Sequence, residues 1–311
     1  MKQQITKFQH YVPQHYLKLW SVSSGCIEVY LHDLSSLDGS PVPQSTKRIL
    51  GREFYYEKNL DSPDNFIEDN LSAIENAAAP VLKRISELPA EIGQEQKCLS
   101  AAKILSDAIS HKAFVDFVSS QLVRTPNIIA DVTKAINASN LSAQEKALLL
   151  SQTKPDAFIT LGMGRLPPRL AGYSIIFLNS ESDAFVTSDQ PVAEVCTDPN
   201  TLPQPVFNIL HKDDTLLFFP IGPKFACILL PPGSSKVVEI MRSGANFWGP
   251  ESGVSNKFGW RKTDRKQLGV FRELYTGFGR RWLVSCYDET MLISASRLHK
   301  GTNSGASSGK F

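Results

Sequence analysis

The chain has no C-x-x-C pair. Its five cysteines, Cys26, Cys98, Cys196, Cys227 and Cys286, are far apart and odd in number. That spacing excludes a cysteine-type zinc site and offers no disulfide framework, which points to a reducing compartment. An excess of charge is also missing. Lysine plus arginine number 33 against 31 acidic residues, and a net charge of +2 gives the whole protein no pull toward nucleic acid, a membrane surface or an acidic partner. No run approaches the ~20 apolar residues of a bilayer-spanning helix, and the opening MKQQITKFQH has no apolar signal region. The expectation is a soluble, cytoplasmic protein with no membrane partner. Several catalytic signatures are missing too. There is no G-x-x-x-x-G-K-[ST] loop and no G-x-S-x-G elbow, and Gly162-Met163-Gly164 completes no dinucleotide fingerprint. Asp156, Asp183 and Glu194 do not form the D…E-x-K spacing of many nucleases.

What is present suffices for a large core, since 42% of the 311 residues are hydrophobic. Period-two alternation predicts strands over Cys26–Asp33 and Lys47–Tyr56, separated by a Ser-, Gly- and Pro-rich loop. Helical spacing then dominates. Phe66, Ile67, Leu71, Ile74, Ala78, Leu82 and Ile85 predict a helix over 64–88 with Pro80 inside it, and a second long helix is expected over 94–123, ended by Thr125-Pro126. Two shorter helices follow over 128–138 and 142–152. From about 153 to 169 the composition shifts to Gly, Pro and Met, which marks the main change of organisation. Strands are expected at 173–178, 184–187, 192–196, 215–219, 225–230 and 282–286, with a loop over 199–205 and helices over 234–247, 265–278 and 289–298. The tail 299–311 is too poor in apolar groups to offset its ordering entropy and is expected to be flexible. The fold class is therefore α+β. Residues 1–298 form a single domain whose helical part, about 64–152, packs on a mixed or antiparallel sheet formed by strands of the N-terminus and of the half from about 170 to 298.

The most unusual segment is Gln9-His10-Tyr11-Val12-Pro13-Gln14-His15-Tyr16-Leu17-Lys18-Leu19-Trp20. Pro13 holds Val12 extended and starts a short helix, so His10 and His15 do not share a helical face as metal-binding H-x-x-x-H does. Later blocks are Phe54-Tyr55-Tyr56, Ile74-Glu75 with Ala78-Ala79-Pro80, Gln121-x-x-Arg124-Thr125-Pro126, Phe185 to Val192, and Phe219-Pro220 with Pro223-Lys224. Together and in this order, these blocks resemble a bacterial family catalogued as domain of unknown function 4238. The resemblance covers most of the chain and implies a fold family without an established activity. It departs from the family in the C-terminal third, where Phe271-Arg272-Glu273-Leu274-Tyr275 stands in place of an asparagine-containing helix.

The polar residues of these blocks are the candidate site. His10 is suited to acid–base chemistry near neutrality, or else ties the N-terminal segment to the core by a hydrogen bond. Gln14 could orient a ligand or cap a helix. Glu75, on a helix whose other face is apolar, needs a partner if buried. Arg124 is the matching type, with Gln121 one turn before it, and the two readings are an anion clamp and an interhelical ion pair. Ser188 and Asp189 follow an apolar strand. Asp189 could hold a divalent cation or activate water, or simply form a turn before Pro191. A basic and aromatic cluster, Lys257 to Lys266 with Phe258 and Trp260 and then Arg280-Arg281-Trp282, could track a nucleic-acid backbone or be a solvated face. Two functional expectations follow. In the first, His10, Glu75, Arg124 and Asp189 converge to hydrolyse a phosphoester of a nucleotide or nucleic acid, with Arg124 stabilising the anionic transition state. In the second, the protein is a non-enzymatic module that binds or senses a small anionic ligand, in bacterial stress or phage defence by analogy with the accessory genes it resembles.

Overall fold

The computed structural model describes residues 5–23, 26–35, 41–89, 91–181, 184–195, 215–232, 236–264, 267–269 and 281–286. The loop expected over 199–205, the helix over 289–298, most of the helix over 265–278 and the tail lie outside the described residues, as do Asp183 and Arg280.

The chain opens with β1 (Phe8–His10), α1 (Gln14–Leu17) and a 3-10 turn over Lys18–Trp20. Next come β2 (Glu28–Asp33), β3 (Val42–Ser45) and β4 (Gly51–Glu53). The helical third is α2 (Phe66–Ser86), α3 (Gln94–Ser106), α4 (Ala108–Val123), α5 (Pro126–Ala138), α6 (Ala143–Ser151) and α7 (Pro155–Leu170). The remainder is β5 (Ser174–Asn179), β6 (Thr187–Ser188), β7 (Ala193–Val195), β8 (Leu216–Gly222), β9 (Phe225–Leu230), α8 (Lys236–Ser243), β10 (Asn246–Phe247), β11 (Phe258–Lys262) and β12 (Trp282–Ser285).

The α+β class holds, with the strands distributed over separate sheets. A six-stranded sheet runs β10-β11-β5-β9-β8-β7, antiparallel except for the parallel pair β11–β5. The N-terminal strands join a different one: β3-β2-β12-β6, in which β12 lies between β2 and β6. Among the described residues β1 pairs only with β4, placing His10 opposite Gly51. Strands β5, β8 and β9 are buried at every position, in keeping with their uninterrupted apolar runs.

Four expectations need correction. The helix over 94–123 is two helices, because Asp107 is extended (φ −70°, ψ 128°) and its side chain accepts the Ser110 N–H at 2.8 Å, starting α4 afresh. The change of organisation placed over 153–169 falls after it, because most of that stretch is α7 and continues the helical part to Leu170. Pro155 sits in the first turn of α7, where its missing N–H costs nothing, and Gly162 lets α7 lie directly against Val123 of α4. The strand over 47–56 shrinks to β4, with β3 formed inside the expected loop. The helix over 234–247 stops at Ser243 and gives way to β10.

α4 is the central helix. Every residue from Phe117 to Thr125 is buried, the pattern of a helix surrounded on all sides. Phe114 and Phe117 meet Phe219 of β8, and Tyr16 stacks on Phe219 at 5.6 Å. The Tyr16 hydroxyl, fully enclosed, donates to the Pro220 carbonyl at 2.7 Å and hydrogen-bonds with the Thr187 hydroxyl at 2.8 Å, which pins the N-terminal segment to both larger sheets.

Candidate functional site

α4 ends at Val123, and its enclosure carries the next residue, Arg124, into the interior with 1% exposure. Each of its three nitrogens donates to a protein group. Nε donates to the Tyr56 hydroxyl at 3.0 Å, Nη1 to Glu75 Oε1 at 2.6 Å, and Nη2 to the His10 carbonyl. Tyr56 passes its own proton to the same His10 carbonyl at 2.9 Å and lies under the guanidinium, 5.7 Å from ring centre to Cζ. Gln9, wholly buried, accepts the Tyr56 N–H at 2.7 Å and donates to Glu57 Oε1 at 2.9 Å. One guanidinium thus ties α2, the loop at Tyr56 and the end of β1 together.

Three of the four residues expected to act together therefore meet, in altered roles. Arg124 and Glu75 form the ion pair, and His10 contributes its carbonyl. The His10 ring turns to the Thr46 carbonyl, Nε2 to O 3.1 Å, and burial lowers its pKa despite that hydrogen bond and the Glu75 charge. Asp189 belongs to a second group. It accepts from Asn127 Nδ2 at 2.9 Å, its N–H donates to the Trp282 carbonyl at 3.2 Å, and its charge acts on Tyr11, whose hydroxyl burial and Asp189 push up to about 12. Ser188 makes a local turn, its Oγ donating to the Gln190 carbonyl at 2.9 Å and accepting the Gln190 N–H at 3.0 Å. Gln121 is wholly buried and donates to Ser120 Oγ at 3.3 Å. Gln14 is the first residue of α1, whose start carries no side-chain cap bond, so the capping role does not hold.

The electrostatics around Arg124 are acidic. Burial works against the Glu75 carboxylate, but the Arg124 charge and hydrogen bond, with help from His15, outweigh it and hold its pKa below the ordinary value. His15 Nδ1 stands 3.6 Å from Glu75 Oε2, with both side chains about one-fifth exposed. Glu68, two turns earlier on α2, goes the other way. Burial, followed by the charges of Glu75, Asp69 and Glu57, pushes it up to about 7 against the pull of Arg124. Glu68, His15, Tyr56 and Gln9 were not among the expected site residues. The seven-residue spacing of Glu68 and Glu75 on one helix was the signal that could have found the first.

The described residues of the basic and aromatic cluster are largely engaged with the protein itself. Phe258 is buried in β11 and stacks on Phe177 at 6.2 Å, so it cannot receive a base. Arg261 points Nη1 to Met241 Sδ at 3.6 Å, and Arg281 lies over Trp282 at 4.6 Å. Among the described residues no group of three or more His, Cys, Asp or Glu is placed to hold a metal ion, and no helix is long and apolar enough to cross a membrane.

An α+β protein with a buried arginine clasp under a carboxylate-lined face is the class that fold and site define. The chain belongs to the family described as Protein of unknown function (DUF4238), whose model matches residues 9–246. No curated protein and no solved structure matched the chain.

Proposed function

We propose that this protein is a non-catalytic binding module, and that Arg124 is its structural clasp rather than a phosphate-stabilising group. The observation that carries this reading is that the buried guanidinium already donates to Glu75, Tyr56 and the His10 carbonyl. A phosphoryl group would have to displace a charge-assisted ion pair to reach it. The surroundings also oppose an anion, since Glu57, Glu68, Asp69 and Glu75 outnumber the one arginine. The partly exposed side chains of His15, Glu68 and Glu75 suit a cationic or hydrogen-bond-donating ligand.

One observation favours a second reading, acid–base hydrolysis of an uncharged substrate. Glu68 and Glu75 are carboxyls of one helix driven in opposite directions, as an acid and a base would be. A screen of nitrophenyl phosphodiester, ester and glycoside, with and without Mg²⁺ or Mn²⁺, separates the cases. The expected result is no turnover, together with a loss of about 3–5 kcal/mol of stability in Arg124→Met from stranding Glu75. Phosphodiester turnover that disappears in His10→Ala at unchanged melting temperature overturns the binding reading. Ester or glycoside turnover that disappears in Glu68→Gln establishes the second.

A further inference from the structure

Away from the polar site, α4, α5, α6 and α7 line a partly open cavity of about 270 Å³. Its wall is apolar, built from Val123, Ile136, Leu149, Phe158, Gly162 and Leu166. The space has a structural origin. Gly162 has no side chain, and a Cβ there would collide with Val123, so α7 is drawn tight against α4. α5 starts at Pro126, directly after α4, and α6 follows it, each adding one wall of the cavity through Ile136 and Leu149. A concave site with a mainly apolar wall and a few polar groups at its rim suits a ligand with an apolar body and one polar end.

Two further features specify the occupant. Arg165 borders the cavity from the exposed side of α7 and has no hydrogen-bond or ion-pair partner among the described residues. Gln152, at the end of α6, adds an amide to the same rim. The covering helix is loosely held. No residue of α6 is buried, and Leu148 and Leu161 beside it are 63% and 42% exposed. A helix with so little buried surface opens at low free energy and gives a route in.

We propose that this cavity is a binding site for a medium-chain alkyl carboxylate, with the chain inside and the carboxylate on Arg165. The inference is independent of the reading of the polar clasp and stands if that reading falls. Calorimetric titration of the full-length protein with octanoate, decanoate and dodecanoate tests it, with decyltrimethylammonium and decanol as controls. Affinity should rise roughly fourfold per methylene until the cavity is full. Arg165→Met, a surface change that leaves the fold intact, should weaken decanoate about tenfold and leave decanol unchanged. Ile136→Trp, which fills the cavity, should abolish binding without lowering the melting temperature. No binding at millimolar decanoate overturns the proposal. So does decyltrimethylammonium binding as tightly as decanoate, or an Arg165→Met variant that binds decanoate like the parent.

Discussion

Glu68 and Glu75 share a helix and a neighbouring arginine, yet their carboxyls respond to pH in opposite senses. Only Glu75 is in hydrogen-bond contact with the guanidinium. For Glu75 the folded pKa is depressed, so its contribution to stability is present above the ordinary carboxyl value and is lost as pH falls through the lowered one. Glu68 does the reverse. Its folded pKa is about 7 against an ordinary 4.5, so the unfolded chain ionises first and stability falls as pH rises between those two values. Glu68→Gln should therefore match the parent in acid and exceed it at about pH 8 by ~1–2 °C in melting temperature, about 1 kcal/mol after allowing for solvent on one side. A melting-temperature difference that does not change with pH would rule this out. The Arg124–Glu75 pair itself was legible in the sequence, because a carboxylate on the buried side of one helix and an arginine ending another need each other. The His10 carbonyl was not, since backbone groups leave no trace in residue identity. Nor was the separation of Asp189, whose partner Asn127 lies in the first turn of α5, outside any motif.

Among the helices, α2 was readable almost to the residue from its apolar spacing. The break between α3 and α4 was hidden because Ile109 continues the apolar periodicity across it. In the fold Ile109 is 81% exposed, and Asp107 acts as a cap. α7 was concealed by its composition. Gly162 looks like a helix breaker and is instead the residue that permits close packing, while Pro167 and Pro168 fall in the last turn. Adding one methyl at that contact tests this account. Gly162→Ala should cost about 1–3 kcal/mol through overpacking, contrary to its helix propensity, as read by the denaturant midpoint. Val123→Ala in the same chain should recover part of that loss, because it removes the atoms the methyl meets. A stabilised single variant would mean that α4 and α7 do not touch there.

For the whole molecule, the family match ends at residue 246, before β11 and β12. Both strands are nonetheless internal to their sheets. β11 joins β10 to β5, and β12 joins β2 to β6. A chain cut after Gly249 should therefore lose its cooperative thermal transition by circular dichroism, whereas a chain lacking only 299–311 should keep it. In the two larger sheets β2, β5, β7, β8, β9 and β12 were visible in apolar runs and alternation, whereas β3, β10 and β11 were not. Nor was the partition of strands between the sheets, because pairing at this distance depends on the assembled core rather than on local pattern.

That distance has a consequence for biosynthesis. His32 of β2 meets Ser285 of β12 across 253 positions of sequence. At ~5–20 residues per second, a ribosome needs roughly 13–50 s to deliver the strand that closes this sheet. Throughout that interval the nascent chain carries β2 with one edge unpaired. Successful birth of this protein thus depends on keeping that edge from other chains until translation is nearly complete.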